Sequence, residues 1–478
     1  MICVTGLERT IAELARRLEQ YSGQLQEVRL DALDRIEEDI YHLLKLHDPL
    51  IVTCRGTAEG GLFTGTPGEQ SEILHRLLIS NPAYVDLETS IPLNIRRTLE
   101  HAGQNSRIIT SHHQFKTSLT IRNDLLKLSD EPGDLLKYAV QVGDAAELLP
   151  LLETQIPDHR PFLRIGMGDA GMITRGLFSS FGSPWTYVTA DSSTSSAPGQ
   201  LTVEQAKRWR IDSLSHPAPY GLIGGPQVIH SPGMDVYNQL FAGYGVDALY
   251  LPIITARLGD TLPLLKALDF AGLSVTMPAK IAALELCDER SEEAVAAGAV
   301  NTILFNHKQF IGDNTDVTAL RELLRDETGK VLILGAGGVA RAALAAVGQR
   351  GIVTARDPER ATAVAGMFGA ATLEWEHRDR CGARTIVNAT PLGMDGISSP
   401  LPAETPLADK RIIDVVMKRD GTPLTRRAKE AGAKVVDGFE IWVRQGAAQM
   451  SRFLDRKVTA GELRTLLDEL HAGAFNGP

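Results

Sequence analysis

A lysine set into an otherwise apolar strand-like run is the residue of this sequence with the clearest chemical meaning. Lys137 lies in the run Leu-Leu-Lys-Tyr-Ala-Val at positions 135–140. An unpaired cation is costly to bury, so this lysine either extends to solvent or is held as a neutral amine. A neutral amine can attack a carbonyl carbon and form a Schiff base. Taken by itself, the run favours the solvent-directed lysine.

Histidines and arginines at the ends of neighbouring strand-like runs strengthen the chemical interpretation. The run Ile-Ile-Thr-Ser at positions 108–111 leads directly into His112 and His113. Histidine moves protons near neutral pH, and arginine forks bind carboxylates. A substrate that carries both a ketone and a carboxylate would suit this set of side chains. The other polar residues at or just beyond the strand ends are Glu27, Arg29, Arg55, Glu59, Asp86, Glu88, Arg175, Ser196 and Gln200.

The elements that must position these residues are strands and helices in alternation. Eight strand-like runs are separated by segments with helical or loop character. Eight such units predict a closed (β/α)8 barrel, in which the C-terminal strand ends converge on one mouth. A doubly wound open sheet is the alternative, because counting strands does not distinguish the two. The runs are Ile2–Val4, Gln26–Leu30, Leu50–Cys54, Ala83–Leu87, Arg107–Ser111, Leu135–Val140, Phe162–Met167 and Trp185–Thr189.

The composition is that of a globular protein with more than one domain. The 478 residues are 43% hydrophobic and 23% charged, and a net charge of -10 without a basic stripe argues against a nucleic-acid partner. The four cysteines are scattered without metal-binding spacing, which predicts reduced thiols in a cytoplasmic protein. We expect no signal peptide and no membrane-spanning segment. These features leave the oligomeric state open.

The first 210 residues or so resemble type I 3-dehydroquinate dehydratase. The matching patterns are Glu-x-Arg at 27–29, Arg-x3-Glu-Gly-Gly at 55–61, Ser-x-His-x-Phe at 111–115, Met-Gly-x6-Arg ending at 175, and Ser-Ala-Pro-Gly-Gln at 196–200. The resemblance implies that Lys137 forms the Schiff base, that His113 is the general acid/base, and that Glu59 orients this histidine. It implies dehydration of 3-dehydroquinate to 3-dehydroshikimate without a metal. The substrate site would be lined by Glu27, Arg29, Arg55, Arg175, Ser196 and Gln200.

Three charged or titratable residues near this set are expected to have lesser roles. His112 occupies a variable position of the pattern and should point away from the mouth. Asp86 and Glu88 are interpreted as a layer of salt bridges under the site.

A glycine-rich turn in the second half predicts a dinucleotide-binding domain. It follows the strand-like run 331–334 and opens a helix, so backbone N–H groups can approach a pyrophosphate. Arg356 and Arg360 follow the next strand and favour the 2′-phosphate of NADP, whereas the adjacent Asp357 leaves NAD as the alternative. The turn consists of Gly335, Ala336, Gly337, Gly338, Val339 and Ala340.

Residues 219–470 resemble shikimate dehydrogenase. The matching segments are 272–280, 298–302, 312–316, 388–394 and 437–446. The resemblance implies that Lys280 and Asp316 are a catalytic proton-transfer pair, and that Ser231 contacts the substrate carboxylate. The substrate hydroxyls would be bound by Thr276, Asn301 and Gln445, and the cofactor also by Thr390 and Gly438.

Three positions depart from the shikimate dehydrogenase pattern. Gly233 replaces a serine, Tyr237 a histidine and Met417 a tyrosine. A missing hydroxyl donor typically costs about 0.5–1.5 kcal/mol. Gly233 is also expected to leave room for quinate, which is bulkier by one hydroxyl, so quinate is the alternative substrate to shikimate.

The sequence thus predicts an α/β protein with two enzymes in one chain: a TIM barrel, then an α/β substrate domain and a Rossmann NADP-binding domain. Dehydration of 3-dehydroquinate would be followed by NADPH-dependent reduction to shikimate. A non-catalytic metabolite-sensing regulator is the rival from another class, and the presence of every catalytic residue type argues against it. The predicted boundaries are 1–212 for the barrel, 219–325 for the substrate domain, 326–450 for the Rossmann domain and 451–478 for a C-terminal helical segment that packs back on the substrate domain.

Overall fold

The computed structural model describes residues 1–473 except 37–38, 104, 117–119, 158, 192, 194, 215 and 307–308. Contacts between Cα atoms divide the chain into two compact units, Met1–Phe270 and a second that starts at Ala271. Within the described ranges, none of the helices combines the length and the apolar character that a membrane span requires.

The first unit begins with eight strands that alternate with helices. The strands are β1 Ile2–Thr5, β2 Leu25–Arg29, β3 Leu50–Thr53, β4 Tyr84–Glu88, β5 Arg107–Gln114, β6 Leu135–Gln141, β7 Phe162–Met167 and β8 Thr186–Thr189. The helices are α1 Ile11–Gln20, α2 Asp39–Lys45, α3 Pro67–Leu77, α4 Leu93–Ala102, α5 Ile121–Ser129, α6 Leu149–Glu153, α7 Met172–Gly176 and α8 Val203–Arg208.

These strands form a nearly closed parallel barrel. Their hydrogen-bonded order is β7-β6-β5-β4-β3-β2-β1-β8, so neighbours in the chain are neighbours in the sheet and β1 also pairs with β8. A doubly wound sheet would instead start in its middle and reverse direction. The barrel prediction is therefore confirmed, and the only adjacent pair without a described ladder is β7 and β8.

The inner face of β6 extends from an apolar cluster to a cavity with polar lining. Alternate residues of a strand face the same side, so Leu135, Lys137 and Ala139 of β6 all face inward. Leu135 belongs to an apolar cluster at the bottom of the barrel, whereas Lys137 and Ala139 line a cavity above it. The apolar cluster consists of Cys3, Leu25, Ile51, Ile109, Leu135, Leu163, Trp185 and Tyr187.

Two further strand–helix pairs complete the first unit. They are β9 Ala218–Gly224, α9 Gly233–Gly243, β10 Ala248–Ile254 and α10 Leu258–Ala267, and β9 and β10 are parallel. Asp144, which follows β6, accepts hydrogen bonds from Thr255 Oγ1 at 2.8 Å and from the Ala256 N–H at 2.9 Å. These bonds fasten the segment after β10 to the barrel, so the first unit extends past the barrel itself.

The second unit starts with a small mixed sheet. Strand β13 pairs antiparallel with β11 and β14, and β14 pairs parallel with β12. The elements are β11 Gly272–Val275, α11 Lys280–Leu286, β12 Glu289–Arg290, α12 Glu292–Ala297, β13 Thr302–Asn306, β14 Gln309–Asp313 and α13 Thr315–Leu323.

A parallel sheet of six strands follows in the second unit. Its order is β17-β16-β15-β18-β19-β20, which is the 3-2-1-4-5-6 order of the Rossmann fold. The strands are β15 Val331–Leu334, β16 Gly351–Thr354, β17 Ala371–Thr372, β18 Thr385–Asn388, β19 Arg411–Asp414 and β20 Lys434–Val436. The helices are α14 Gly338–Val347, α15 Pro358–Met367, α16 Pro423–Glu430, α17 Gly438–Leu454 and α18 Ala460–His471.

Candidate active sites

One cavity at the C-terminal ends of the barrel strands is lined by all nine barrel residues that the sequence predicted to be catalytic or substrate-binding. Those residues come from six different strands or the loops that follow them, as expected for a barrel mouth. Their proximity is a property of the structure, while their chemical roles stay predictions. The lining is Glu27, Arg29, Arg55, Glu59, Gly60, His113, Phe115, Lys137, Ala139, Ile165, Met167, Arg175, Tyr187, Ser196, Ala197, Pro198 and Gln200.

Lys137 is buried, but its ammonium group lies among acids and not in an apolar pocket. Its side chain is 6% exposed, and Nζ lies 3.0 Å from Asp86 Oδ2 and 3.8 Å from Glu27 Oε1. The same nitrogen lies over the Tyr187 ring, 4.5 Å from its centroid. Two carboxylates and an aromatic face stabilise a cation. The apolar sequence around Lys137 belongs to the outer face of β6 and to the barrel floor.

Asp86 is more closely involved in this site than the sequence suggested. Besides Lys137, its carboxylate binds Arg55 Nη2 at 2.9 Å and accepts from Ser111 Oγ at 2.5 Å. Burial would raise the pKa of Asp86, but Arg55 and Lys137 outweigh it and hold that pKa well below its usual range. Asp86 is therefore an ionised acceptor within reach of a lysine proton. The signal in the sequence was its position near the end of a barrel strand.

Glu59 fixes the orientation and the tautomer of His113. Its Oε2 accepts from the backbone N–H of His113 at 2.9 Å and lies 3.0 Å from Nδ1 of the same residue. The hydrogen bond from His113, the neighbouring His112 ring and the charge of Arg55 outweigh burial and lower the pKa of Glu59, so this carboxylate only accepts hydrogen bonds. Nδ1 of His113 must therefore carry the proton, which leaves Nε2 as a free base.

His113 is held neutral by its surroundings. Burial first, and then the charges of Arg55 and Lys137, lower its pKa to about 3, and Glu59 offsets these effects only in part. A neutral imidazole is the form that can remove a proton from carbon.

His112 does not simply point away from the site, as the sequence suggested. Its Nδ1 lies 2.8 Å from Thr89 Oγ1, and Thr89 donates to Glu59 Oε1 at 3.0 Å. The ring is also stacked on Tyr138. His112 is therefore connected to Glu59 through one hydroxyl group. No sequence signal indicated Thr89, because it lies in a loop beyond β4.

Arginines of the cavity differ in whether the protein itself pairs them. Arg29 forms two hydrogen bonds with Asp31, at 3.0 and 2.6 Å. Arg175 is buried, yet no described carboxylate lies within 4.0 Å of its guanidinium, and Nε has no hydrogen-bond partner in the described part of the chain. Burial lowers its pKa to about 10. A buried guanidinium without a described carboxylate partner is suited to bind an anion in this cavity.

A polar loop closes the edge of the same cavity. Gln200 Oε1 accepts from the backbone N–H of Ser196 at 3.1 Å and from its hydroxyl at 3.2 Å. The Pro198 carbonyl accepts from Gly168 N–H at 3.1 Å and from Arg175 Nη2 at 3.4 Å. The loop is thus fastened to the residues that carry Arg175.

A lysine–aspartate pair lies in the second unit. Lys280 Nζ is 2.6 Å from Asp316 Oδ2, and both side chains are largely buried at 18% and 13% exposure. Lys280 is the first residue of α11, and Asp316 lies in the first turn of α13. A Cβ at Gly338 in the glycine turn would lie 3.9 Å from Lys280 Cδ. The pair is therefore next to the start of the dinucleotide-binding helix.

Two of the predicted hydroxyl-binding residues share one hydrogen-bond network. Asn301 Nδ2 donates to Thr315 Oγ1 at 3.0 Å, and Thr315 Oγ1 donates to Gln445 Oε1 at 3.4 Å. Thr315 is adjacent to Asp316, so the network is continuous with the lysine–aspartate pair along the chain. Thr276 is half-buried just after β11, and its carbonyl accepts from the Ala279 N–H at 2.9 Å.

Two of the positions that depart from the shikimate dehydrogenase pattern, Gly233 and Tyr237, lie close together in the first unit. Ser231 Oγ accepts from the Gly233 N–H at 3.2 Å. A Cβ at Gly233 would come within 3.3 Å of both Ser231 Oγ and the Tyr237 ring. The ring of Tyr237 therefore occupies part of the space that Gly233 was expected to leave open, which weakens the argument for a bulkier substrate. Met417, the third departure, is 41% exposed.

The glycine turn fits a bound dinucleotide. Gly335 has φ of +109°, and a Cβ there would lie 2.9 Å from the Ala389 carbonyl oxygen. This close approach joins the ends of β15 and β18, where the strand order reverses and nucleotides bind in such sheets. Thr390 donates to Asn388 Oδ1 at 2.6 Å, and Gly438 is the first residue of α17.

Near the end of β16, Arg356 is available to a ligand, whereas Asp357 and Arg360 each make a hydrogen bond within the protein. Asp357 caps α15 by accepting from the Arg360 N–H at 3.0 Å. Arg360 Nε donates to the Ala336 carbonyl of the glycine turn at 3.1 Å, and Arg356 is exposed. This arrangement favours a phosphate ligand over a ribose hydroxyl at this position.

Two family models match the chain. Residues 2–210 match the type I 3-dehydroquinase family. Residues 222–303 match the substrate-binding domain of shikimate dehydrogenase.

Known proteins resemble the chain in its whole length or in its second half. The bifunctional 3-dehydroquinate dehydratase/shikimate dehydrogenase of Arabidopsis thaliana, a chloroplastic protein, is 28% identical over 95% of this chain and 81% of its own. A shikimate dehydrogenase (NADP(+)) of Oleidesulfovibrio alaskensis is 36% identical over 53% of this chain and 96% of its own. The crystal structure of shikimate dehydrogenase from Aquifex aeolicus has a TM-score of 0.50 and 27% identity, and it covers 53% of this chain and 98% of that chain. The chain therefore belongs to the shikimate dehydrogenase family, and its residues 2–210 also match the type I 3-dehydroquinase family.

Proposed function

We propose that the barrel dehydrates 3-dehydroquinate to 3-dehydroshikimate and that the second half reduces this product to shikimate with NADPH. The observation that carries the proposal is the barrel cavity, where a lysine, a neutral histidine and an unpaired arginine line one space. These are the three functions that a Schiff-base dehydration of a keto acid requires: a nucleophile, a proton carrier and an anion site. The lysine–aspartate pair beside the glycine turn supports the second step.

Substrate binding in the barrel starts from charge. The C1 carboxylate pairs with Arg175, which lacks a carboxylate partner in the described protein. Arg29 and Arg55 are already paired with acids, so they shape the site and orient Asp31, Asp86 and Glu59. Glu27, Ser196 and Gln200 provide acceptors and donors for the ring hydroxyls.

Imine formation begins with loss of a proton from Lys137. Asp86 is the nearest acceptor, 3.0 Å from Nζ. The neutral amine then adds to the C3 carbonyl carbon, and the carbonyl oxygen leaves as water when the C=N bond forms. The cationic iminium takes the place of the lysine ammonium among the carboxylates, so the charge of the site is preserved.

Elimination uses Nε2 of His113. The iminium withdraws electrons from C2, His113 takes a C2 proton, and the C–H electrons form an enamine between C2 and C3. His113 then protonates the C1 hydroxyl, which leaves as water while the C1–C2 double bond forms and the iminium returns. Glu59 stabilises the imidazolium through Nδ1–H at 3.0 Å. Hydrolysis of the iminium releases 3-dehydroshikimate and restores Lys137.

The reductase site uses Lys280 and Asp316 as a proton-transfer pair. NADPH supplies a hydride to the carbonyl carbon when it is bound. Lys280 donates the proton that the resulting alkoxide oxygen needs, and Asp316 holds its ammonium group at 2.6 Å. Asn301, Gln445 and Thr276 bind the ring hydroxyls.

The cofactor would be held by the turn 335–340 together with Thr390, Gly438, Arg356 and Arg360. The exposed Arg356 and the capped Asp357 support NADP(H) in preference to NAD(H). Arg356→Glu should raise KM for NADPH about 10- to 100-fold, because a charge-assisted phosphate contact is replaced by repulsion. Steady-state kcat/KM values with NADPH and with NADH measure the change. Arg350→Glu, at the opposite end of β16, should leave both values close to those of the wild type; equal loss in both variants would contradict the assignment.

A coupled assay tests the function as a whole. With 3-dehydroquinate and NADPH, the wild-type chain should oxidise NADPH and form shikimate. A His113→Ala variant should oxidise NADPH only when 3-dehydroshikimate is supplied. NADPH oxidation by His113→Ala with 3-dehydroquinate itself would show direct reduction to quinate and would contradict the proposed order of steps.

The domain boundaries at 212, 219, 325 and 450 and a cytoplasmic location are part of the proposal. The four free cysteines support a reducing compartment.

A further inference from the structure

Glu59 joins the buried base of the barrel to a second histidine that reaches the surface. One carboxylate oxygen binds His113, and the other accepts from Thr89 Oγ1 at 3.0 Å and from the Ser90 N–H at 3.1 Å. Thr89 Oγ1 is also 2.8 Å from His112 Nδ1. The His112 side chain is 34% exposed, against 11% for His113. A chain of hydrogen bonds thus runs from the base to a ring in contact with solvent.

The direction of each hydrogen bond in this chain is fixed by the ionised carboxylate. Glu59 can only accept, so the single hydroxyl proton of Thr89 must point to Glu59 Oε1. Thr89 Oγ1 then has only lone pairs to offer His112, which must donate through Nδ1–H. His112 therefore needs a proton on Nδ1, and its Nε2 remains available to take a second proton.

A purely structural role for His112 would depend on different contacts. The ring is stacked on Tyr138 with 5.9 Å between centroids and 18° between planes. A phenylalanine would preserve such stacking but could not donate to Thr89. An asparagine would donate through its amide but would not stack or titrate. The two contacts can thus be separated by substitution.

The charges around His112 make its protonation relevant to His113. Its Nδ1 is 3.8 Å from Glu59 Oε1, and Asp124 on α5 also faces it, as does the Tyr138 ring whose hydroxyl donates to Asp124. Glu59 and Asp124 raise the pKa of His112 above its usual value, and burial offsets this only in part. A cation on His112 would compete with the His113 imidazolium for stabilisation by Glu59.

We propose that His112 is a positioning residue for the dehydration: through Thr89 it holds Glu59 in the orientation that directs Nε2 of His113 at the substrate, and its protonation slows proton removal from C2. The inference rests on the proposed roles of His113 and Lys137. It concerns a position outside the resemblance pattern, since the pattern allows any residue between Ser111 and His113.

Four substitutions test the hydrogen-bond chain in the full-length protein. His112→Phe removes the hydrogen bond to the Thr89 hydroxyl, and Thr89→Val removes both that bond and the bond to Glu59. In each variant kcat for dehydration should fall about 10-fold with little change in KM. His112→Asn and Thr89→Ser keep the donors and should recover most of that loss. His101→Phe, at an exposed histidine whose Nδ1 lies 2.7 Å from the Arg97 carbonyl oxygen in the same helix, is the matched control and should match the wild type. A loss in His112→Asn that equals or exceeds the loss in His112→Phe would overturn the proposal, and wild-type kcat in His112→Phe would assign His112 a packing role.

The pH profile and an isotope effect provide readouts that packing alone would not change. In the wild type, kcat should fall as the pH drops through the raised pKa of His112, whereas His112→Asn should lack this acidic limb. With 3-dehydroquinate deuterated at C2, His112→Phe should show a larger primary isotope effect than the wild type, because proton removal limits the rate more strongly. An unchanged limb and an unchanged isotope effect would contradict the proposal.

Borohydride trapping separates this inference from the function on which it rests. His112→Phe should form the reduced substrate adduct on Lys137 as completely as the wild type, because imine formation does not involve Thr89. No adduct in the wild type would overturn the Schiff-base function itself. Reductase activity with 3-dehydroshikimate should be unchanged in every variant, and it serves as the control that the chain is folded.

Discussion

Replacement of Lys137 by arginine is expected to abolish dehydration while the barrel stays folded. Arginine preserves the positive charge beside Asp86 and Glu27, but a guanidinium forms no imine under these conditions. We expect kcat for dehydration to fall by at least about 10⁴-fold, as for the loss of a covalent nucleophile. Formation of the conjugated product, followed by its ultraviolet absorbance, measures the loss.

Lys137→Ala is the harsher test of the same residue. It leaves two buried carboxylates without their cation, which destabilises proteins by about 3–5 kcal/mol. The alanine variant should therefore lose both activity and stability, whereas arginine should lose activity alone. Lys127→Arg, at an exposed lysine on α5, is the matched control and should behave as the wild type. Dehydration by Lys137→Arg at a rate within tenfold of the wild type would rule out the imine mechanism.

The second large effect is expected at the lysine–aspartate pair of the reductase. Lys280→Met removes the proton donor at the carbonyl oxygen, and kcat for reduction of 3-dehydroshikimate should fall about 10²- to 10⁴-fold. Asp316→Asn keeps the shape of the site but no longer holds the ammonium group by charge. We therefore expect kcat for reduction to fall in this variant too, but by less than in Lys280→Met. NADPH oxidation at saturating 3-dehydroshikimate measures both.

The dehydratase in the same chain provides the internal control for these variants. Dehydration of 3-dehydroquinate by Lys280→Met should equal that of the wild type, and Lys429→Met, at an exposed lysine on α16, should retain both activities. Borohydride should leave no adduct on Lys280, which acts as an acid and not as a nucleophile. Reduction at the wild-type rate by Lys280→Met would contradict the assignment.

Element types were determined by local sequence. The eight barrel strands lie where the runs of apolar residues predicted them, whereas the run around Lys137 taken by itself favoured a solvent-directed side chain. The glycine turn likewise predicted the dinucleotide fold, because a strand, a turn and a helix start are specified within a dozen residues or so. Such local signals require no knowledge of distant partners.

The partner of each polar side chain was decided only by the tertiary structure. Lys137 and Asp86 are 51 residues apart in the chain, and Glu59 and His113 are 54 apart. Strand register and barrel closure determine which of several inward-facing acids meets a given cation. The sequence therefore identified the residues that line the cavity. It predicted, however, that Asp86 belongs to a layer of salt bridges under the site and that His112 points away from the barrel mouth.

The same distinction explains Arg175 and Gly233. A sequence shows that an arginine is present, but only the fold shows that Arg29 is paired with Asp31 while Arg175 is left without a described carboxylate. A glycine indicates free space in the sequence, yet Tyr237, one helical turn away, occupies part of it. Residue types and periodicity thus determined the chemistry that this protein can perform, and three-dimensional packing decided which side chains remain free to perform it, because pairing and occupied volume depend on residues far apart in the chain.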